Sequence, residues 1–114
     1  MPLWGREKRS NIVRDARLVG MWDLDPSDTV ALARYGSSTM ILGEDGRLTH
    51  VIHAPEKDMI MLLTWRTEGQ TIITNQPSVP REEKTSYTLL DDHTLLLTLA
   101  GETSRYVRRN PLPR

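Results

Sequence analysis

Two side chains near the end of the chain, Tyr106 and Arg108, are the first candidates for binding chemistry. They lie two positions apart in a strand-like run, 103–109, and residues of equal parity on a strand face the same side of the sheet. A buried guanidinium is costly unless it is paired. The two side chains therefore suit a ligand with an acidic group and an apolar body. Alternatively, Arg108 pairs with a protein acid or carbonyl group, and both side chains help to close the fold.

An apolar wall for such a site would come from alternate positions of the run 59–67 and from the first predicted strand. Methionine side chains in that run can adapt to the shape of a ligand. The predicted ligand-binding residues are Trp22, Met61, Leu63, Trp65, Tyr106 and Arg108. The alternative is that these side chains fill the interior without leaving a cavity, with Trp22 as a structural plug.

The three histidines do not form a convincing metal or catalytic site. His50 and His53 are three positions apart on one predicted strand, so they face opposite sides, and His93 falls in a predicted turn. The chain has no cysteine, and neither a Ser-His-Asp pattern nor a glycine-rich phosphate loop is evident. We therefore predict no catalytic residue, no metal and no cofactor. An enzyme of isomerase or hydrolase type stays open as an alternative, because an active site needs no local motif.

Eight short strands are predicted to position these residues. Tight turns at 44–46, 68–69 and 91–93 each lie between two strand-like runs, which is typical of hairpins. Short helices are predicted only for 6–17 and for 29–35, where Gly36 ends the second. Consecutive hairpins favour an all-β, up-and-down barrel, whose closure removes exposed edges. The predicted strands are 18–25, 38–42, 47–53, 59–67, 70–76, 83–90, 94–99 and 103–109.

A short motif marks the two ends of this meander. The first strand contains Gly20-Met21-Trp22, and the last ends on Arg108 and Arg109. A Gly-x-Trp on the first of eight strands, with a basic residue at the end of the last, resembles the calycin superfamily and most closely its small bacterial lipocalin-like domains. The resemblance implies an antiparallel up-and-down eight-stranded lipocalin-like barrel over 18–109. It also implies that Trp22 lies at the closed end, with Arg108 or Arg109 across its ring.

The same resemblance bears on function. Fatty-acid-binding members of the superfamily hold a carboxylate with an arginine and a tyrosine, which implies such a role for Tyr106 and Arg108, in the order Tyr-x-Arg here. Ordinary lipocalins are much longer, and short strands leave little depth for a cavity. The expected function is binding of a small apolar or amphipathic acidic ligand. The alternative is a non-enzymatic interaction module with a filled core, which self-associates through its outer sheet face.

The 114 residues fit one domain without net charge, but the charges are unevenly placed. Residues 1–17 carry five basic and two acidic side chains, residues 103–114 carry four basic and no acidic ones, and the segment between them holds 6 basic and 13 acidic ones. The direct interpretation is that the basic ends lie on the acidic body. A basic arm for nucleic acid or anionic lipid is the alternative, although overall neutrality makes nucleic acid unlikely as a partner. Residues 110–114 are predicted to form a flexible tail.

The run 59–65 is apolar at both parities. One set would face inward, so Ile60 and Leu62 would face outward, where a solvent-facing strand should be polar. We expect cover for this face from the N-terminal segment or from a second copy in a homodimer.

No run has the length of a signal peptide or a membrane span, and the chain has no cysteine. We therefore expect a cytoplasmic protein.

Overall fold

The computed structural model describes residues 13–109. A 3-10 turn (Ala16–Leu18) precedes the first strand, and one short helix, α1 (Thr29–Tyr35), joins the first two strands. The strands, in chain order, are β1 (Gly20–Leu24), β2 (Ser38–Leu42), β3 (Arg47–Ile52), β4 (Met59–Glu68), β5 (Thr71–Asn75), β6 (Glu82–Asp91), β7 (Thr94–Leu99) and β8 (Glu102–Arg108).

The eight strands form one closed barrel. Each strand pairs antiparallel with the next, and β8 pairs antiparallel with β1. The predicted fold class, an all-β up-and-down antiparallel barrel of eight strands, is therefore confirmed. Closure places Trp22 directly opposite Arg108 in the register of β1 and β8, as expected when the end of the last strand lies beside the start of the first.

The predicted helices have different outcomes. For the segment 6–17, residues 6–12 lie outside the described part of the chain, residues 13–15 are not helical, and only the 3-10 turn follows. That turn forms because the Asp15 carboxylate accepts a hydrogen bond from the Arg17 N–H at 3.0 Å, which caps it. The helix at 29–35 is confirmed, with Asp28 as its N-cap and Gly36 at a φ of 76° after its last residue. The predicted tail, 110–114, lies outside the described residues.

The two ends of the barrel differ. One end is sealed, because the segment 13–19 lies across it and is held to β4 by hydrogen bonds from the Thr67 N–H to the Val13 carbonyl and from the Arg14 Nε to the Trp65 carbonyl, each at 2.8 Å. Large buried side chains fill this closed end: Leu18, Trp22, Trp65, Tyr87 and Leu95. The opposite end carries α1 and the connections at 53–58, 76–81 and 100–101. We call it the open end.

The outer face of β4 is apolar, as predicted. Ile60 is 62% exposed and Leu62 is 66% exposed. The segment 13–19 lies at the closed end, so among the described residues it does not cover these two side chains.

Candidate functional site

A cavity of about 420 Å³ lies inside the open half of the barrel. This volume falls within the range of about 300–1,000 Å³ that is usual for small-molecule pockets. The barrel therefore holds more space than its short strands led us to expect. Its apolar walls come from inward positions of β2 to β5 and of β7: Met40, Leu42, Leu48, Ile52, Met61, Leu63, Ile72, Leu97 and Leu99.

The six predicted ligand-binding residues fall into two groups. Met61, Leu63 and Tyr106 line the cavity. The other three lie at the closed end and are not among the described residues that line it: Trp22, Trp65 and Arg108. The two tryptophans are 0% and 1% exposed, and their indole N–H groups donate to the backbone carbonyls of residues 18 and 43, each at 2.9 Å. The tryptophans thus pack the closed end and leave the cavity to smaller side chains.

Arg108 closes the barrel. Its guanidinium carbon lies 4.3 Å from the centre of the Trp22 ring, which confirms the predicted contact. Its Nη1 donates to the Val19 carbonyl at 2.9 Å, its Nη2 to the Arg17 carbonyl at 2.5 Å, and its Nε to the Asp92 carbonyl at 2.8 Å. All three nitrogens are therefore satisfied by backbone oxygens. Protein carbonyls thus take the place of the acidic group that this half-buried arginine was expected to bind.

Gly20 explains the glycine of the Gly-x-Trp motif. It has a φ of +138°, and a Cβ at this position would lie 2.6 Å from Nη1 of Arg108. Because glycine has no Cβ, the guanidinium can pass over β1 and reach the Val19 carbonyl. The motif therefore produces one local arrangement. Gly20 leaves room for the Arg108 guanidinium, and the Trp22 ring packs against it.

The polar side chains of the cavity centre on His50 and Tyr106. The Tyr106 hydroxyl lies 3.2 Å from the hydroxyl of Ser38, and burial raises the pKa of Tyr106, so the phenol stays protonated. His50 lies between Met40 and Met61 on the neighbouring strands and lines the cavity. Its Nε2 is buried without a hydrogen-bond partner among the described residues. Burial lowers the pKa of His50, which favours the neutral imidazole.

Sequence reasoning set His50 aside, because it looked only for a cluster of histidines. A usable signal was present: His50 has the same parity as Leu48 and Ile52 on one strand, and that parity faces the interior. A lone imidazole on the apolar face of a barrel strand is a candidate polar contact for whatever fills the barrel.

The rim of the cavity at the open end carries charges of both signs. Arg81, Glu83 and Glu102 contribute to it. Glu102 is already engaged, since it accepts a hydrogen bond from the Tyr35 hydroxyl at 2.7 Å and pairs with Arg34. Among the described lining residues, the rim thus offers one cation beside two carboxylates, and this arrangement does not specifically favour an acidic ligand.

A second polar chain lies on the outside of the barrel, across β1, β2 and β3. Nε2 of His53 is 2.9 Å from the Thr39 hydroxyl, which itself donates to Asp23 at 2.6 Å, and Nδ1 of His53 is 3.3 Å from Asp58. Asp23 also pairs with Arg109 at 2.7 Å, and this pairing is the main cause of its lowered pKa. Because the Thr39 proton is directed at Asp23 and not at the imidazole, the arrangement resembles no activated nucleophile. It ties three strands together.

A metal site, a membrane-spanning helix or a known relative would each indicate a function. Within residues 13–109, no group of three or more His, Asp or Glu side chains could hold a metal ion, and no helix of this part of the chain is long and apolar enough to cross a membrane. No protein-family model matches the chain, and no curated protein is significantly similar to it. Function is therefore inferred from the geometry of the cavity.

Proposed function

We propose that the protein binds one small, largely apolar molecule inside the open half of its barrel. The observation that carries the proposal is the 420 Å³ cavity, walled by methionine, leucine and isoleucine side chains. An apolar ligand in such a site gains from the removal of its surface from water. Carrying a ligand in this way is also what the resemblance to calycin barrels implies, and the stacking of Arg108 on Trp22 supports that assignment.

We infer that the ligand has one uncharged hydrogen-bonding group, directed at His50. Burying a neutral imidazole nitrogen without a hydrogen-bond partner costs free energy. A ligand hydroxyl, amide or protonated acid that forms this hydrogen bond would offset the cost. An ionised acid is favoured less, because Arg108 lies outside the cavity and Arg81 shares the rim with two carboxylates. The amphipathic acidic ligand expected from the sequence is thereby revised to an amphipathic ligand with a neutral polar group.

Native mass spectrometry of the protein purified from its expression host tests the proposal directly. We expect a retained small molecule or, after its extraction, saturable binding of an uncharged fluorescent apolar dye such as N-phenyl-1-naphthylamine. Leu97→Trp, which fills the cavity from β7, should abolish both signals. Leu96→Trp is the matched control, because the neighbouring position points outward. Equal binding by both variants, with unchanged circular dichroism, would reject an internal site.

The polar contact is tested separately by His50→Leu, which keeps an apolar side chain of similar size. With the ligand identified by mass spectrometry, we expect about a tenfold loss of affinity, as for one hydrogen bond to a buried polar group. The uncharged naphthylamine dye, with its binding dominated by apolar contact, should bind the variant about as well as it binds the native protein. If the natural ligand bound both proteins equally, His50 would not be its polar contact.

A second function is favoured by the outer face of β4. Its exposed side chains, Ile60 at 62% and Leu62 at 66%, are the kind of apolar surface that marks a protein contact. In this candidate function the protein is a self-associating interaction module, and the cavity is secondary. Sedimentation equilibrium separates the two functions, because ligand binding inside one barrel requires no association.

A further inference from the structure

The first half of β4 has a strand neighbour on one side only. Residues Met59 to Leu63 pair with β3 through the register Ile52–Met59 to Leu48–Leu63, whereas pairing with β5 begins at Thr64, opposite Asn75. β5 stops there because Pro77 follows closely, and proline cannot donate to a strand ladder. The loop 77–80 is exposed, and within the described residues it makes no backbone hydrogen bond to Met59–Leu63.

The free backbone groups on this edge can be identified. The N–H of Trp65 donates to the Gly46 carbonyl, on the β3 side. Backbone groups alternate along a strand, so odd-numbered residues of β4 face β3 and even-numbered residues face the free side. Ile60 and Leu62 therefore present their N–H and C=O groups to the free side. Their side chains are also the exposed ones, so within residues 13–109 neither the backbone nor the side chains of this short edge have a partner.

We propose that a second copy of this chain pairs with this edge, antiparallel, about a two-fold axis at Met61. In that register Ile60 of one copy lies opposite Leu62 of the other, and each such pair exchanges two backbone hydrogen bonds. The symmetry gives two of these pairs, which satisfy all four free N–H and all four free C=O groups of residues 60 and 62. A self-complementary patch of this kind is what a two-fold homodimer needs.

The side chains and the charges agree with the same register. On the outer face, Ile60 of each copy packs against Leu62 of the other, so two exposed apolar pairs are covered. Residues 59–64 carry no charge, whereas exposed edges are commonly protected by lysine or proline. In the five paired positions, 59–63 of each copy, no like charges lie opposite each other.

The interface is small. Five residues from each copy bury on the order of several hundred Å², below the roughly 1,200 Å² of a standard stable complex. We therefore expect a weak, concentration-dependent dimer, visible by sedimentation at high protein concentration. Leu62→Lys should weaken dimerisation about tenfold or more, because two-fold symmetry places the change in the contact twice. Thr49→Lys is the matched control: it lies opposite Leu62 on β3, on the same outer face but away from the free edge.

Disulfide trapping tests the register itself. The chain has no native cysteine, so Met61→Cys places one thiol on each copy. Across the two-fold axis the two Cα atoms form a non-hydrogen-bonded pair about 4.5 Å apart, within the range of about 4.4–6.8 Å that a disulfide spans. Leu63→Cys has the same parity on the same strand, but two residues separate it from the axis, so its copies lie too far apart.

The proposal predicts a covalent dimer for Met61→Cys under mild oxidation and none for Leu63→Cys. It is overturned by a strict monomer at millimolar concentration, by a dimer that resists Leu62→Lys, or by cross-linking of Leu63→Cys in place of Met61→Cys. Circular dichroism shows whether each variant is folded, and dye binding to the Leu62→Lys monomer tests the cavity independently. Failure of the dimer therefore leaves the proposed ligand binding separately decidable.

Discussion

Removing the tryptophan at the closed end is the sharpest test of how this barrel is held together. Trp22 is fully buried, its indole N–H donates to the Leu18 carbonyl at 2.9 Å, and the Arg108 guanidinium lies over its ring. Trp22→Ala removes the ring, the hydrogen bond and the cation–π contact together. Trp22→Phe keeps a ring and leaves the Leu18 carbonyl without its donor.

These contacts set the size of the effect. Deleting a buried tryptophan side chain costs about 3–5 kcal/mol. The phenylalanine variant loses mainly the hydrogen bond, and a buried carbonyl left without a partner costs about 1–3 kcal/mol. A domain of this size has a total free energy of unfolding of about 5–15 kcal/mol. Trp22→Ala should therefore remove a large part of that free energy of unfolding. The free energy of unfolding of Trp22→Phe should lie between those of Trp22→Ala and the native protein.

Urea unfolding followed by circular dichroism measures this series. With a slope of about 1–3 kcal/mol per molar urea, the midpoint of Trp22→Ala should fall by about 2 M. Val79→Ala, at a side chain that is 63% exposed, is the control and should lie within about 0.5 kcal/mol of the native protein. A midpoint for Trp22→Ala that matches the control would show that the closed end does not depend on this ring, and the reasoning would be refuted.

Two further predictions concern the same end of the barrel. Gly20→Ala should destabilise the protein by about 1–3 kcal/mol, since it combines a positive φ with a Cβ 2.6 Å from Arg108. Gly36→Ala, at a positive φ with nothing within 4 Å, should cost less when both variants are compared by urea unfolding, and equal costs would show that contact with Arg108 does not matter. The hydrogen bond from Arg17 is the main reason that the pKa of Asp15 is lowered to about 2. The stabilising contribution of Asp15 is therefore complete above about pH 4 and lost as the pH falls towards 2. Because Arg17 is 71% exposed, we expect about 1 kcal/mol or less. Urea unfolding of Asp15→Asn beside the native protein should show a difference at pH 6 that vanishes near pH 2, and a difference that persists there would contradict this origin.

Sequence patterns predicted the barrel because the features that determine it are local in the sequence. Hairpin turns fix which strands are neighbours, and parity fixes which residues face inward. The resemblance to calycins implied that Arg108 or Arg109 lies across the Trp22 ring, and antiparallel closure places the end of the last strand beside Trp22. The cytoplasmic location and the relation to calycins stay predictions, since the comparisons offer no relative that would test them.

Pairing of Arg108 with protein carbonyls was one of the two alternatives from the sequence, but which carbonyls it binds could not be predicted. Two of the three carbonyls that it binds belong to residues 17 and 19, within or beside the 3-10 turn. Residue 17 was predicted as the last residue of a helix and residue 19 as part of the first strand, and neither assignment says where these carbonyls point. The outcome depends on how one turn at Asp15 presents its backbone to a side chain about 90 residues away in sequence. No pattern within either segment contains that information.

A cavity was expected from the sequence, but its volume was not, because that volume depends on how large and small side chains are distributed between the two ends of the barrel. At the closed end the inward positions hold large side chains such as Trp22, Trp65 and Tyr87. At the open end several inward positions hold small ones, including Ser38 and Ser104, and the space that remains is the cavity. Strand length alone does not predict the volume of the cavity, because that volume depends on the sizes of facing side chains that come from distant parts of the sequence. Trp22, Trp65 and Tyr87 are not among the described residues that line the cavity, so substitutions at these positions should change stability with little effect on binding, and Leu97→Trp should change binding with little effect on stability.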